Sequence, residues 1–171
     1  MDHSHTDNLA VASPARVRQV ALSTPAGFLA FGLGSGLSPV APGTAGTLMA
    51  LPLGLWLPIL PVWIALALVV AAFLVGIYLC GETSRRLGVH DHGGIVWDEF
   101  VGMWLIVIFI PFHWAWWLAA FILFRIFDAA KPWPIGWVDR RAPGGFGVMI
   151  DDILAAGYAL VILSVARVLL G

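Results

Sequence analysis

A single cysteine in 171 residues excludes an internal disulfide. Cys80 closes the apolar run ending IYLC and reads as a small buried apolar side chain. Charge is also scarce: Asp, Glu, Lys and Arg make up 11% of the chain and nearly cancel, at a net charge of −1. That balance excludes the basic footprint needed to hold a nucleic-acid backbone. There is no internal repeat, and the Gly-rich stretch GLGSG is neither a Walker loop nor a dinucleotide fingerprint. What the chain has in excess is hydrocarbon. Hydrophobic residues make up 60% of it and the mean hydropathy is +0.92, against roughly 45–50% apolar content in soluble domains. It reads as a membrane protein whose first partner is the lipid bilayer.

Residues 1–24 are polar without an apolar period, which predicts a disordered tail ahead of a single membrane domain over 25–171. His3 and His5 in that tail carry little weight as ligands. Residues 26–37 are apolar but give only ~18 Å of helix against a hydrocarbon core of ~30 Å, so they predict a re-entrant or interfacial segment. A signal peptide with Arg16 and Arg18 as its basic region is the competing reading, disfavoured because another apolar run follows. Apolar runs at 44–60, 61–80, 99–111, 114–128 and 148–170 predict an all-α polytopic protein with about five spanning helices. Pro58, Pro61 and Pro111 mark turns between them. Trp114, Trp116 and Trp117 suit a helix end at headgroup level.

Following the runs back and forth places Arg85, Arg86, Asp98, Glu99, Arg125, Asp128, Lys131, Arg140, Arg141, Asp151 and Asp152 on one side. Basic residues in short loops mark the cytoplasmic face, so this side is predicted to be cytoplasmic, with the Gly-rich segment returned to it by parity. Carboxylates at the ends of apolar helices are functional suspects, because a charge in or near hydrocarbon costs several kcal/mol unless it is paired or metal-bound. Asp98 and Glu99 follow the Gly93-Gly94 break, and Asp151 and Asp152 follow Gly144, Gly145 and Gly147. The plain alternative for each pair is favourable charge at a helix N-terminus. His90 and His92 flank Asp91, and of these three Asp91 is the candidate for chemistry. Arg125 and Asp128 lie three apart on one helix face, where a simple salt bridge is the plain alternative.

Five acids, Asp98, Glu99, Asp128, Asp151 and Asp152, against the two bases Arg125 and Lys131 leave an excess of negative charge that must take up protons or a cation. An all-oxygen set favours Mg²⁺ or Mn²⁺. These five are the candidate metal ligands, and with Asp91 the candidate catalytic acids. Arg125 offers a bidentate grip on phosphate and Lys131 a point charge. Ser35, Ser38, Thr44 and Thr47 in GLGSGLSPVAPGTAGT add hydroxyls beside backbone N–H groups that can hold an anion; close packing through small residues is the alternative.

Taken in order, GLSPVAPGTAGT, HDHGGIVWDEFVGMW, FRIFDAAKPWPI and GGFGVMIDDI closely resemble the phosphatidylglycerophosphatase A family of bacterial membrane enzymes, from about residue 26 to the last helix. The resemblance implies Mg²⁺-dependent removal of the terminal phosphate from phosphatidylglycerophosphate, giving phosphatidylglycerol, at the inner membrane. No Cys-x5-Arg nucleophile loop and no Asp-x-Asp start is present, which favours water attack at a metal site. A CDP-alcohol phosphotransferase would need an Asp-Gly-x2-Ala-Arg opening, which is missing. A small ion-coupled transporter would place its ionisable groups nearer the midplane than these.

Overall fold

In the computed structural model, which describes residues 13–170, all regular structure is helical, with no strand among the described residues. The α-helices are α1 (Pro14–Ser23), α2 (Pro25–Ala30), α3 (Pro42–Gly54), α4 (Val62–Leu87), α5 (Trp97–Val107), α6 (Trp114–Ala130), α7 (Ile135–Asp139) and α8 (Gly144–Leu170). Short 3-10 turns cover Gly32–Leu37 and Leu57–Ile59.

Two helices, α4 with 26 residues and α8 with 27, are long and apolar enough to cross a membrane. At ~40 Å each they exceed the ~30 Å core. The other expected spans are shorter. The run 44–60 is cut at Gly54, where α3 gives way to the turn through Leu57–Ile59. Helix α5 has 11 residues and α6 has 17, or ~16 and ~26 Å. Two helices of spanning length therefore stand where five apolar runs were expected to span.

Beyond Glu99, helix α5 is apolar on every side, and a helix of that kind belongs inside a bundle. Phe100, Val101, Met103 and Ile106 on it are fully buried, with α3, α4, α6 and α8 packed around it. Helix α8 packs against α4, α5, α6 and α7, and it buries Ala155, Ala156 and Ala159. Small residues allow close helix approach, which in lipid must come from van der Waals fit rather than from expulsion of water. Gly145 is the extreme case: a Cβ there would strike the carbonyl of Ile77 on α4.

The polar N-terminal region differs from expectation over part of its length. Pro14–Ser23 is helical, capped by Ser13, whose Oγ accepts from the Arg16 N–H. Val17 and Ala21, four apart, turn inward, and Arg16 donates to the carbonyl of Arg86 at 2.8 Å. One buried pair on a ten-residue helix is too weak a period to stand out among polar neighbours. The rest of the expected tail, residues 1–12 with His3 and His5, lies outside the described residues.

Residues 25–37 do not form a spanning rod. After α2 the chain doubles back through Leu33 and Gly34, both at positive φ (57° and 94°). The segment is held at the start of α5: Val96 N–H donates to the Ala30 carbonyl at 2.8 Å, and a Cβ on Gly36 would collide with the carbonyl of Gly94. Helix α4 outlasts its apolar run because Glu82 pairs with Arg85 (2.7 Å) and Arg86 (2.6 Å), and it ends on left-handed Gly88. Helix α8 starts at Gly144, so Asp151 and Asp152 sit two turns inside it, and dipole charge in a first turn does not explain them.

Gly145→Leu should separate α8 from α4. A loss of at least about 1–3 kcal/mol is expected, read as a lower unfolding temperature in detergent. A wild-type melting curve would contradict the proposed close contact.

Candidate active site

Three helix ends, one loop and the early part of α8 meet around a cavity of about 400 Å³. The start of α3 contributes Ala41, Pro42 and Gly43, the loop before α5 contributes Asp91 and Gly93, and the start of α5 contributes Asp98 and Glu99. The end of α6 contributes Arg125 and Asp128, its left-handed cap contributes Lys131, and α8 contributes Asp151 and Asp152. All six acids and both cations singled out in the sequence therefore line one space.

Their partners divide them into groups. Arg125 Nη1 lies 2.6 Å from Asp128 Oδ2 and 2.9 Å from Glu99 Oε1. The expected intrahelical bridge forms, and a second carboxylate from α5 joins it. Thr47 Oγ1 is 2.9 Å from both Glu99 Oε2 and the Gly43 carbonyl, so Glu99 is held on two sides. Gly43 has no room for a side chain, since a Cβ would meet Glu99 Oε1 and the Arg125 guanidinium. Lys131 Nζ bridges Asp151 Oδ2 (2.6 Å) and Asp139 Oδ1 (2.7 Å). Burial disfavours the ammonium charge, but these hydrogen bonds outweigh it and raise the Lys131 pKa above its ordinary value. Lys131 is a fixed cation.

Asp98 Oδ1 accepts from the Glu99 N–H (3.0 Å), and Asp151 Oδ1 from the Asp152 N–H (3.1 Å). Asp98 pairs with neither cation among the described residues. Asp91 reaches solvent at the rim but is hemmed in on its inner side. That desolvation raises its carboxyl pKa, against the pull of Lys131 and with help from Asp139.

Asp128, Asp151 and Asp152 each bring a carboxylate oxygen within 4.8 Å of the others. Asp152 Oδ2 is buried with no hydrogen-bond partner. An orphaned carboxylate oxygen beside two more carboxylates suits a hard divalent cation, which takes oxygen ligands alone. Of the five expected metal ligands, these three converge; Glu99 is committed to Arg125 and Thr47, and Asp98 lies outside the trio.

The Gly-rich hydroxyls correct the expectation. Ser35 donates to the Gly32 carbonyl and Ser38 to the Val40 carbonyl, each at 2.8 Å, and Thr44 is exposed. None of the three lines the acidic cavity: the two serines tighten their own turn, and Thr44 faces outward on α3. Thr47 takes the inward place, three residues after Thr44 on α3. Asp139 was missed, and no helical spacing could have found it, since the chain turns between Lys131 and α7.

Fold and cavity together describe an all-helical, strongly apolar protein with one acidic, cation-bridged cavity. The family model described as phosphatidylglycerophosphatase A matches residues 28–167, and the chain belongs to that family of phosphatases. A phosphatidylglycerophosphatase A of Escherichia coli (strain K12) is 50% identical over 135 residues, 78% of each chain. One of Haemophilus influenzae (strain ATCC 51907 / DSM 11121 / KW20 / Rd) is 49% identical over 148 residues, 85% of this chain and 91% of that protein. No solved structure matches the chain.

Asp152→Asn should replace an orphaned acid by a neutral group of the same shape. In chelator the variant is expected to be as stable as the wild type or more so, by about 1–3 kcal/mol, while losing stabilisation by Mg²⁺. Thermal melts with and without Mg²⁺ test this; an equal Mg²⁺ shift in both proteins would remove Asp152 from the cation site.

Proposed function

We propose that this chain hydrolyses phosphatidylglycerophosphate to phosphatidylglycerol and inorganic phosphate, with Mg²⁺, at the cytoplasmic face of a bacterial inner membrane. The observation that carries the reading is the convergence of six carboxyls with Arg125 and Lys131 in one cavity at one end of an apolar bundle. A transporter is not favoured, since these charges gather at that end rather than along a path through the bundle.

Asp128, Asp151 and Asp152 would hold the ion. When bound, Mg²⁺ neutralises phosphate charge and polarises the P–O bonds. Arg125, kept in place by Glu99 and Asp128, presents its guanidinium to the phosphoryl oxygens, where charge must be matched as the bond breaks. Lys131 adds a second fixed positive charge. Asp98, free of both cations, takes the proton of the attacking water in line with the phosphorus. Asp91 stands at the rim, where the glycerol oxygen departs, and its raised pKa suits it to return a proton there. One water is consumed; one alcohol and one phosphate leave.

The membrane placement follows from the charges. Arg85, Arg86, Arg140 and Arg141 lie at the ends of α4 and α7, close in sequence to the site, which supports a cytoplasmic placement of that end. Helices α3, α5 and α6 complete the bundle, with α5 against both α4 and α8, α3 against α5, and α6 against α8.

Purified protein should release phosphate from phosphatidylglycerophosphate, stop in chelator, and recover with Mg²⁺. Asp128→Asn and Asp151→Asn should each lower turnover by about 100-fold or more. Near-normal rates in both variants, or activity unmoved by chelator, would sink the assignment.

Orientation is tested separately in a Cys80→Ser background. Cysteine placed by Arg86→Cys or Arg141→Cys should react with an impermeant thiol reagent only from the cytoplasmic side, and His113→Cys only from outside. The reverse pattern would invert the site.

A further inference from the structure

A second cavity, about 800 Å³, opens beside the acidic one and shares Pro42 and Gly93 with it as common walls. Its lining is mostly apolar, with Val17 and Leu22 from α1 facing Leu37 from the Gly-rich turn. The one arginine lining it is the exposed Arg18, next in sequence to the inward-turned Val17 on α1. Ser38, which the acidic cavity leaves out, lies here. The two cavities thus differ in kind: one holds acids, Arg125 and Lys131, and the other holds no acid, with Arg18, His92 and Ser38 set among apolar residues.

The substrate proposed above has a matching division. Its terminal phosphate is a monoester, and one glycerol unit away an internal phosphodiester leads to two acyl chains. A monoester seated on Arg125 and Lys131 sets its diester in adjoining space, where an anion needs a cation and the acyl chains need hydrocarbon.

We propose that the second cavity binds the diacylglycerol side of the substrate, with Arg18 gripping the internal phosphodiester while the terminal phosphate occupies the acidic cavity. This rests on the reading of the acidic cavity as the site of hydrolysis. The planar fork of arginine suits two oxygens of a diester. Arg18 then selects lipids that carry a phosphodiester next to the scissile monoester over lipids in which the monoester is attached directly to diacylglycerol.

The test uses full-length wild type, Arg18→Gln and Arg18→Lys in mixed detergent micelles. Three constants are read: the KM for phosphatidylglycerophosphate, and the inhibition constants of phosphatidylglycerol and of inorganic phosphate. The first inhibitor has the diester alone; the second has none. Arg18→Gln should raise the KM and the phosphatidylglycerol constant about tenfold, with the phosphate constant unchanged, and Arg18→Lys should fall between. Unchanged KM and phosphatidylglycerol constants would overturn the role of Arg18, as would an equal rise in the phosphate constant, which marks general damage. Wild-type protein that released no phosphate from phosphatidylglycerophosphate would instead overturn the reading of the acidic cavity, before any variant is compared.

Discussion

Too much negative charge in too little water is the constraint on which this molecule depends. Six carboxyls line one cavity in a chain that is 60% hydrophobic, and two cations answer them. In an apolar bundle such a surplus is tolerated only if each acid is given a partner or a proton, or is left for a cation. The structure uses these means selectively. Glu99 and Asp128 share Arg125, Asp151 takes Lys131, and Asp152 keeps an oxygen without any partner. The residues that look most costly for folding are those gathered where a hard cation would fit.

Much of this was legible from the chain because the charges are so few. When nearly every residue is apolar, an Asp at the end of a run stands out, and back-and-forth topology brings the ends of successive runs together. That logic found Asp91, Asp98, Glu99, Arg125, Asp128, Lys131, Asp151 and Asp152, all of which line one cavity. It failed where contact depends on backbone detail. Ser35 and Ser38 looked like anion ligands but satisfy carbonyls of their own turn, a competition that short hydroxyl side chains often win locally. Helix boundaries were also misjudged, since hydropathy registers where apolar residues stop, whereas α4 runs on through Glu82, Arg85 and Arg86, and α8 begins in GGFG.

The same bias explains the N-terminal region. A hydropathy reading discards polar segments, yet α1 docks by two small apolar residues and one hydrogen bond from Arg16 to the end of α4. Its neighbour, the Gly-rich turn, owes its place to glycine in a literal way: Gly36 and Gly94 touch backbone to backbone, and no other residue leaves the room. The two loops that wall the second cavity are joined there without a side chain between them.

Asp151 and Asp152 stand partway along α8, a helix of ~40 Å that is longer than the hydrocarbon it would cross. A rod too long for its slab leans, and the lean changes with the thickness of the slab. Asp151 and Asp152 ride on α8, while Arg125 and Asp128 ride on the shorter α6. Because Asp128 of α6 meets Asp151 and Asp152 of α8 within 4.8 Å, the carboxylate trio exists only while two helices of unequal length keep one seating against each other.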